Sequence, residues 1–175
     1  MKITINAGHC PGRDSGAIGQ SGVQEADINR DIMEQVAVYL RDIEYDVLEV
    51  QENILSQITD ASNAFGADLF VSIHCNASNN KLVRGTETFC YTSGGESEKL
   101  AVCIQNQVIS SMGTMDRGVK NENFYVLRMT NCPAVLVETA FITNEEDEKM
   151  LVDQNMQDQF SGAIARGITD YICML

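Results

Sequence analysis

The chain has 175 residues, of which 44% are apolar and 21% charged, and this composition excludes a disordered, collagen-like or low-complexity protein. Its length suits one domain, which we expect to span residues 1–175. The formal net charge is −13 and no cluster of lysine or arginine occurs, which argues against nucleic-acid binding and against long-range attraction to an anionic membrane or cell wall. No apolar run approaches the roughly 20 residues of a membrane span, so we expect no membrane insertion.

Strand and helix patterns alternate through the first half of the chain. Lys2–Ala7 predicts a buried strand, and a glycine-rich loop follows over His9–Gly22. Aliphatic residues then recur every three or four positions, which predicts a helix with one apolar face formed by Ile28, Ile32, Val36, Leu40 and Ile43. Asp46–Val50 predicts a second strand and Ile54–Phe65 a second helix. The continuous apolar run Leu69–Ile73 is typical of a central strand that is covered on both faces.

The second half continues the alternation. Its predicted elements are, in chain order, a strand over Gly85–Thr92, a helix over Glu98–Met112, a β-rich segment at Asn123–Arg128, a buried strand at Ala134–Val137, an acidic helix at Glu145–Val152 and a final helix over Met156–Ile172. Strands that alternate with helices predict an α/β fold, in which a largely parallel sheet lies between two helical layers.

The six cysteines form no CxxC pair and no compact framework. This spacing disfavours a thiol redox protein, and we expect reduced, mostly buried thiols rather than zinc ligands. Two of them directly follow a histidine, and of these Cys75 is expected in the core. The positions are Cys10, Cys75, Cys90, Cys103, Cys132 and Cys173.

Polar residues with metal-binding chemistry follow the predicted strands. The chain has only two histidines, His9 and His74, and each comes directly after a strand, as Glu138 follows Ala134–Val137. Because ligands bind beyond the carboxyl ends of strands in open α/β sheets, we expect these side chains to share one crevice. Glu25 opens the first predicted helix and is close enough to reach it. Two imidazoles and one glutamate are typical of an open zinc site, and a further carboxylate suits the general base of a zinc hydrolase.

Short motifs occur in a fixed order along nearly the whole chain. They are Asn6-Ala-Gly-His-Cys-Pro-Gly, Asp14-Ser-Gly-Ala-Ile-Gly, Glu25 with Asn29, Val71-Ser-Ile-His-Cys-Asn-Ala, Gly85-Thr-Glu-Thr, Arg117-Gly-Val, Asn123-Phe-Tyr-Val-Leu-Arg128 and Pro133-Ala-Val-Leu-Val-Glu138. In these motifs the sequence resembles the zinc-dependent N-acetylmuramoyl-L-alanine amidases of the amidase-3 family. The resemblance implies a mixed, mostly parallel sheet of about six strands flanked by helices. It also implies one Zn²⁺ as cofactor and peptidoglycan as substrate, cut at the amide between the lactyl group of N-acetylmuramic acid and L-alanine of the stem peptide.

The resemblance extends to individual residues. It implies that His9, Glu25 and His74 hold the metal and that Glu138 is the catalytic glutamate. A glutamate in this role accepts a proton from the attacking water and passes it to the departing amine.

Five further residues are expected to act around the metal ligands or the substrate. Asn76 and Ala77 follow His74 on the same side of the crevice and are expected to contact substrate, although a turn-forming role for Asn76 is equally favoured. Glu87 and Arg117 are expected to orient groups around the metal ligands. For Arg128, contact with a peptide carboxylate is considered, but a surface salt bridge is favoured.

The expected substrate indicates where this protein acts. The site of action would be the cell wall. The first residues lack the apolar stretch of a secretory signal. We therefore expect either cytoplasmic synthesis, as for phage lysins, or an autolysin or spore enzyme whose leader has been removed. Because a charge of −13 gives no attraction to polyanions, a separate cell-wall-binding domain is also expected. Two alternatives stay open, namely another zinc amide or peptide hydrolase on the same scaffold and a non-catalytic cell-wall-binding module.

Overall fold

The computed structural model covers residues 1–175. Its elements are β1 Lys2–Ala7, α1 Glu25–Asp42, β2 Asp46–Val50, α2 Leu55–Phe65, β3 Leu69–Asn76, β4 Thr86–Cys90, α3 Glu96–Met112, β5 Asp116–Asn121, α4 Tyr125–Met129, β6 Ala134–Phe141, α5 Glu145–Val152 and α6 Gln154–Ile172. None of the helices has the length and apolarity that crossing a bilayer requires.

All six strands belong to one sheet, in the order β2-β1-β3-β6-β4-β5. Strands β2, β1, β3 and β6 are parallel to one another, whereas β4 is antiparallel to β6 and parallel to β5. The predicted α/β fold with a mixed, mostly parallel sheet is therefore confirmed. Because β4 and β5 run the opposite way, their amino ends share one sheet edge with the carboxyl ends of β1, β3 and β6.

Helices cover the two faces of the sheet unequally. On one face α1, α3 and α6 enclose a cluster of 30 buried apolar residues, which includes four of the five predicted for the face of α1. The fifth, Ile43, was wrongly predicted, since it lies just beyond α1 and is 51% exposed. On the other face α2 and α4 lie over a smaller cluster of 8 buried residues. This thinly covered face leaves room for a crevice.

Two elements differ from the sequence prediction. Asn123–Arg128 was predicted to be β-rich, but the chain forms the short helix α4 there, with Val126 and Leu127 buried in the smaller cluster. The edge strand β5 was missed because its sequence, DRGVKN, carries no apolar alternation. Strands β3 and β6 also extend beyond their apolar runs, so His74 and Glu138 lie within strands rather than after them.

The cysteines are less buried than predicted. Cys75 and Cys90 are buried, three others are partly exposed, and Cys173 at the end of α6 is exposed. The expected core position of Cys75 is confirmed, since its Sγ lies 3.4 Å from Oδ1 of the buried Asn29.

Candidate active site

Three side chains that could hold a metal ion converge where β1 and β3 meet α1. His9 follows β1, Glu25 is the first residue of α1 and His74 lies in β3, and their ligand atoms are all within 4.8 Å of one another. Oε1 of Glu25 is 3.0 Å from Nδ1 of His74, and Oε2 is 3.3 Å from Nε2 of His9. Tetrahedral ligands of zinc, at bond lengths of about 2.0–2.1 Å, lie about 3.3 Å from each other. The spacing of Glu25 from each of the two histidines therefore fits a zinc ion.

Two glycines allow the ligands to approach so closely. A Cβ atom on Gly8 would lie 2.1 Å from Cε1 of His74, and one on Gly16 would lie 2.5 Å from Oε2 of Glu25. The first ligand, His9, has a φ angle of 61°, a left-handed conformation that costs energy for a residue with a side chain. The glycine-rich loop thus sets the position of the ligands at the expense of local backbone strain.

The carboxylate of Glu25 is buried and fully hydrogen-bonded. Its Oε2 accepts a hydrogen bond from the Ala17 backbone at 2.9 Å, and its Oε1 accepts bonds from the Cys75 backbone at 3.1 Å and the Asn29 amide at 3.3 Å. Burial by itself raises the pKa of Glu25, but hydrogen bonds from the two histidines outweigh it and hold the pKa well below its usual range. Glu25 is therefore an anion at neutral pH, the form that a metal requires.

Asp14 orients the imidazole of His9. Its Oδ2 lies 2.8 Å from Nδ1 of His9, so Nε2 is left facing Glu25. Carboxylates commonly hold metal-binding histidines in this way. The hydrogen bond to Glu25 raises the pKa of His9 to about 9, so without metal this ring carries a proton at neutral pH. Sequence reasoning gave Asp14 no role, although its position five residues after His9 in a glycine-rich loop is a signal that could have found it.

Glu138 stands beside this triad. It is the register partner of His74 in the pairing of β3 with β6, and it is half-buried. Its Oε2 is buried and has no hydrogen-bond partner. Burial raises the pKa of Glu138 to about 7. A buried carboxylate oxygen without a partner is rare in folded proteins, and it is a strong indication of a functional group.

The raised pKa of Glu138 predicts how the stability of the metal-free protein depends on pH. Below pH 4.5 the carboxyl is protonated in both the folded and the unfolded state, whereas between pH 4.5 and about 7 only the unfolded state loses its proton. Stability therefore falls as pH rises through this window, and at about 1.4 kcal/mol per pKa unit the full loss is about 3 kcal/mol. Urea unfolding of wild type and Glu138→Gln should show the variant gaining about 2–3 kcal/mol relative to wild type between pH 5 and pH 8. Parallel pH profiles would contradict the assigned pKa.

A crevice opens from the triad along the thinly covered face of the sheet. Its apolar wall comes from α2, β6 and the start of α4 with the residue before it, and consists of Leu55, Ile58, Phe124, Tyr125, Val126 and Leu136. Polar groups, among them Asn6, Asn53 and the carboxylates of Asp14, Glu52 and Glu138, complete the lining. This arrangement presents the triad and Glu138 to a ligand that carries both apolar and hydrogen-bonding groups.

Comparison with known families decides which class of protein carries this site. A family model described as N-acetylmuramoyl-L-alanine amidase matches residues 3–170. The chain belongs to this amidase family. The resemblance inferred from the sequence motifs is thus confirmed, and so are the hydrolase class and the amidase activity that it implied.

Individual amidases are similar over almost the whole chain. The N-acetylmuramoyl-L-alanine amidase LytC of Bacillus subtilis is 38% identical over 97% of this chain, which spans 35% of LytC. The B. subtilis protein YqiI is 39% identical over 97% of this chain, and the match covers 84% of YqiI. Among solved structures, the amidase AmiC2 of Nostoc punctiforme superposes with a TM-score of 0.93 at 33% identity, covering 99% of this chain and 97% of that one.

In this amidase the residues Asn76, Glu87 and Arg117 lie away from both histidine rings. The side chain of Asn76 donates to Oε1 of Glu87 at 2.7 Å, and its Oδ1 accepts a hydrogen bond from the backbone of Ala77 at 2.8 Å. The other oxygen of Glu87 accepts a hydrogen bond from Nε of Arg117 at 2.7 Å. Neither Glu87 nor Arg117 hydrogen-bonds to a histidine ring, and the carboxylate that contacts one outside the triad is Asp14, so the expected orienting role of Glu87 and Arg117 stays a prediction.

Arg128 lies on α4 with its side chain exposed. Its guanidinium hydrogen-bonds to Oδ1 of Asn123 and lies 5.8 Å from the ring centre of Tyr125. The surface salt bridge favoured by the sequence is absent, since no acidic side chain pairs with it. Tyr125 lines the crevice, so α4 brings Arg128 near its rim but does not place it among the lining residues.

Proposed function

We propose that this chain is a zinc-dependent peptidoglycan amidase in which His9, Glu25 and His74 hold the metal and Glu138 transfers protons. The bond cut is the amide between the lactyl group of N-acetylmuramic acid and L-alanine of the stem peptide. The observation that carries the proposal is the triad within 4.8 Å, next to a carboxylate oxygen that is buried and unpartnered. Membership of the amidase family supports the choice of bond.

The donor set fits zinc chemically as well as geometrically. Two imidazoles and one carboxylate are a common three-ligand set of catalytic zinc sites, which keep a fourth position open for water or substrate. His9 would offer Nε2, because its Nδ1 is held by Asp14. Glu25 supplies the negative charge, and its hydrogen bonds fix the carboxylate before any metal arrives.

Amide hydrolysis needs both a stronger nucleophile than water and a proton for the departing nitrogen. Zinc, when bound, supplies Lewis acidity that lowers the pKa of a water to about 7 and polarises the amide carbonyl. Glu138 accepts the proton that the attacking water loses and then donates it to the amine of L-alanine as the bond breaks. The buried oxygen of Glu138 that has no hydrogen-bond partner is free to take up that proton.

We expect chelation to abolish activity and zinc to restore it. Purified protein is treated with a chelator, its metal content is measured, and turnover of isolated cell walls is followed before and after zinc is added. Zinc at 100 times its dissociation constant should also stabilise the fold by about 2.7 kcal/mol. Full activity of protein shown to be metal-free would contradict the proposal.

Analysis of the digested wall tests which bond is cut. Mass spectrometry should show stem peptides with a free L-alanine amine and glycan chains that stay uncut. Release of other peptide ends would indicate a different amide hydrolase, and no release at all would indicate a binding module.

We infer that the cell wall is the site of action, in line with relatives named as LytC amidase and as the endolysin of Bacillus phage SPP1. A net charge of −13 gives this domain no general affinity for an anionic wall. Recognition is therefore proposed to occur in the crevice itself, with any further wall affinity supplied by a separate binding domain.

A further inference from the structure

Two cations bind Glu87, which lies on β4 between Glu138 of β6 and the edge strand β5. Glu87 of β4 is the direct register partner of Glu138, so the two side chains stand next to each other on one sheet face. Oε2 of Glu87 accepts a hydrogen bond from Nε of Arg117 at 2.7 Å, and the ammonium group of Lys120 contacts the same oxygen. The pair formed by Arg117 and Lys120 is called the cation pair below.

A bulge in β5 brings the cation pair together. Residues three positions apart point to opposite faces of a regular strand, as Arg117 and Lys120 would. The pairing of β4 with β5 shifts register between Thr86 and Thr88, and Gly118 has a φ angle of 77° at this point. The bulge turns both cationic side chains towards the face that carries Glu87.

The cation pair carries more positive charge than is needed to neutralise Glu87. One cation would neutralise this carboxylate, yet two cations bind it, and the amide of Asn76 donates to it as well. The group therefore has a net charge of about +1, and the side chains of Arg117 and Lys120 remain 28% and 40% exposed. Nη2 of Arg117 makes no hydrogen bond within the chain, which leaves donors for an anion from outside.

The cation pair contrasts with the rest of the site. No lysine or arginine lines the crevice, whereas three carboxylates do. The pair is nevertheless connected to the crevice through aromatic rings, since the ammonium of Lys120 lies 5.9 Å from the ring centre of Phe89, and Phe89 packs edge-on against Phe124 of the apolar wall at 5.3 Å. The positive charge thus lies outside the crevice lining and is linked to its apolar wall through Phe89.

We propose that the cation pair is a carboxylate subsite for the stem peptide and binds the free α-carboxylate of its second residue, D-glutamate. This inference rests on the proposed amidase function. Glu138 and β5 are two strand spacings apart, about 10 Å. The two residues that follow the scissile bond span about 7 Å when extended, and the long side chains of Arg117 and Lys120 cover the remainder. The α-carboxylate of the second residue is therefore within reach of the cation pair.

Two muramoyl tripeptides test the subsite, because they differ only in this group. Both contain L-alanine, a γ-linked second residue and L-lysine, and the second residue is D-glutamate in one and D-isoglutamine, with an α-carboxamide, in the other. Calorimetric binding to zinc-loaded Glu138→Gln protein should favour the acid about tenfold at low salt. In the same background Lys120→Gln and Arg117→Gln should bring the ratio close to one, and Lys120→Arg should restore it. Lys149→Gln, which removes an exposed cation of α5, is the matched control and should leave the ratio unchanged.

The outcomes separate this subsite from the amidase function itself. Equal affinity for the two tripeptides, or equal losses for both in Lys120→Gln and Arg117→Gln, would show that the cation pair only supports Glu87 and would overturn the proposal. Wild-type turnover of the same tripeptides is measured in parallel. If neither is cut while the affinity ratio holds, the subsite stands and the amidase function fails. If both are cut and the ratio is one, the amidase function stands and the subsite is wrong.

Discussion

Exchanging Glu138 for glutamine is expected to lower kcat for amide hydrolysis by about 10²–10⁴-fold while the protein keeps its zinc. Glutamine has the same size, so the crevice and the ligand triad stay in place. It cannot accept a proton from water, however, and it cannot return one to the departing amine. Because Glu138 is half-buried beside His74 rather than among the triad, its charge is not required to hold the metal.

Metal content and turnover must be measured on the same preparation of this variant. Glu145→Gln is the matched control, since Glu145 is exposed on α5 and pairs only with Lys149. We expect the control to keep both zinc and activity. Loss of zinc from Glu138→Gln would make Glu138 a ligand, and wild-type turnover would remove it from the mechanism.

The parts of the fold that sequence predicts well are those in which burial dictates residue type. Strands such as Leu69–Ile73 are covered on both faces, so their apolar runs are visible without a structure. Helix α5 was predicted with its observed bounds, and in the structure Asn144 caps it and acidic residues fill its first turn. The edge strand β5 and the five-residue helix α4 depend on their neighbours instead, and local sequence does not reveal them.

In the active site too, the sequence predicts some contacts and does not reveal others. His9 and His74 were expected to converge because the ends of parallel strands meet at one edge of a sheet, and the structure brings them together. The hydrogen bond that the imidazole of His9 donates to Asp14 depends on the path of a loop, which no periodicity encodes. The pairing of Lys120 with Glu87 depends on a bulge in a strand that was not predicted.

Gly8→Ala is expected to weaken zinc binding although it replaces none of the proposed ligands. The added Cβ atom would lie 2.1–2.5 Å from three atoms of the His74 ring, so the ring must move. Its Nδ1 would then leave its place 3.0 Å from Glu25 Oε1. A displacement of about 1 Å can reduce activity by about 10²-fold, and we expect at least that loss in turnover, together with a comparable loss in zinc affinity.

Gly95→Ala separates this crowding from the general effect of adding a methyl group. Gly95 precedes α3 with an extended backbone, at a φ angle of −112°, and a Cβ atom there meets nothing within 4 Å. Zinc affinity, turnover and urea unfolding are compared for the two variants and wild type. Gly95→Ala should keep zinc and activity, whereas Gly8→Ala should lose both while remaining folded. If Gly8→Ala binds zinc as tightly as wild type, the position of the His74 ring does not control the metal site, and His74 would then have to be replaced as a proposed ligand.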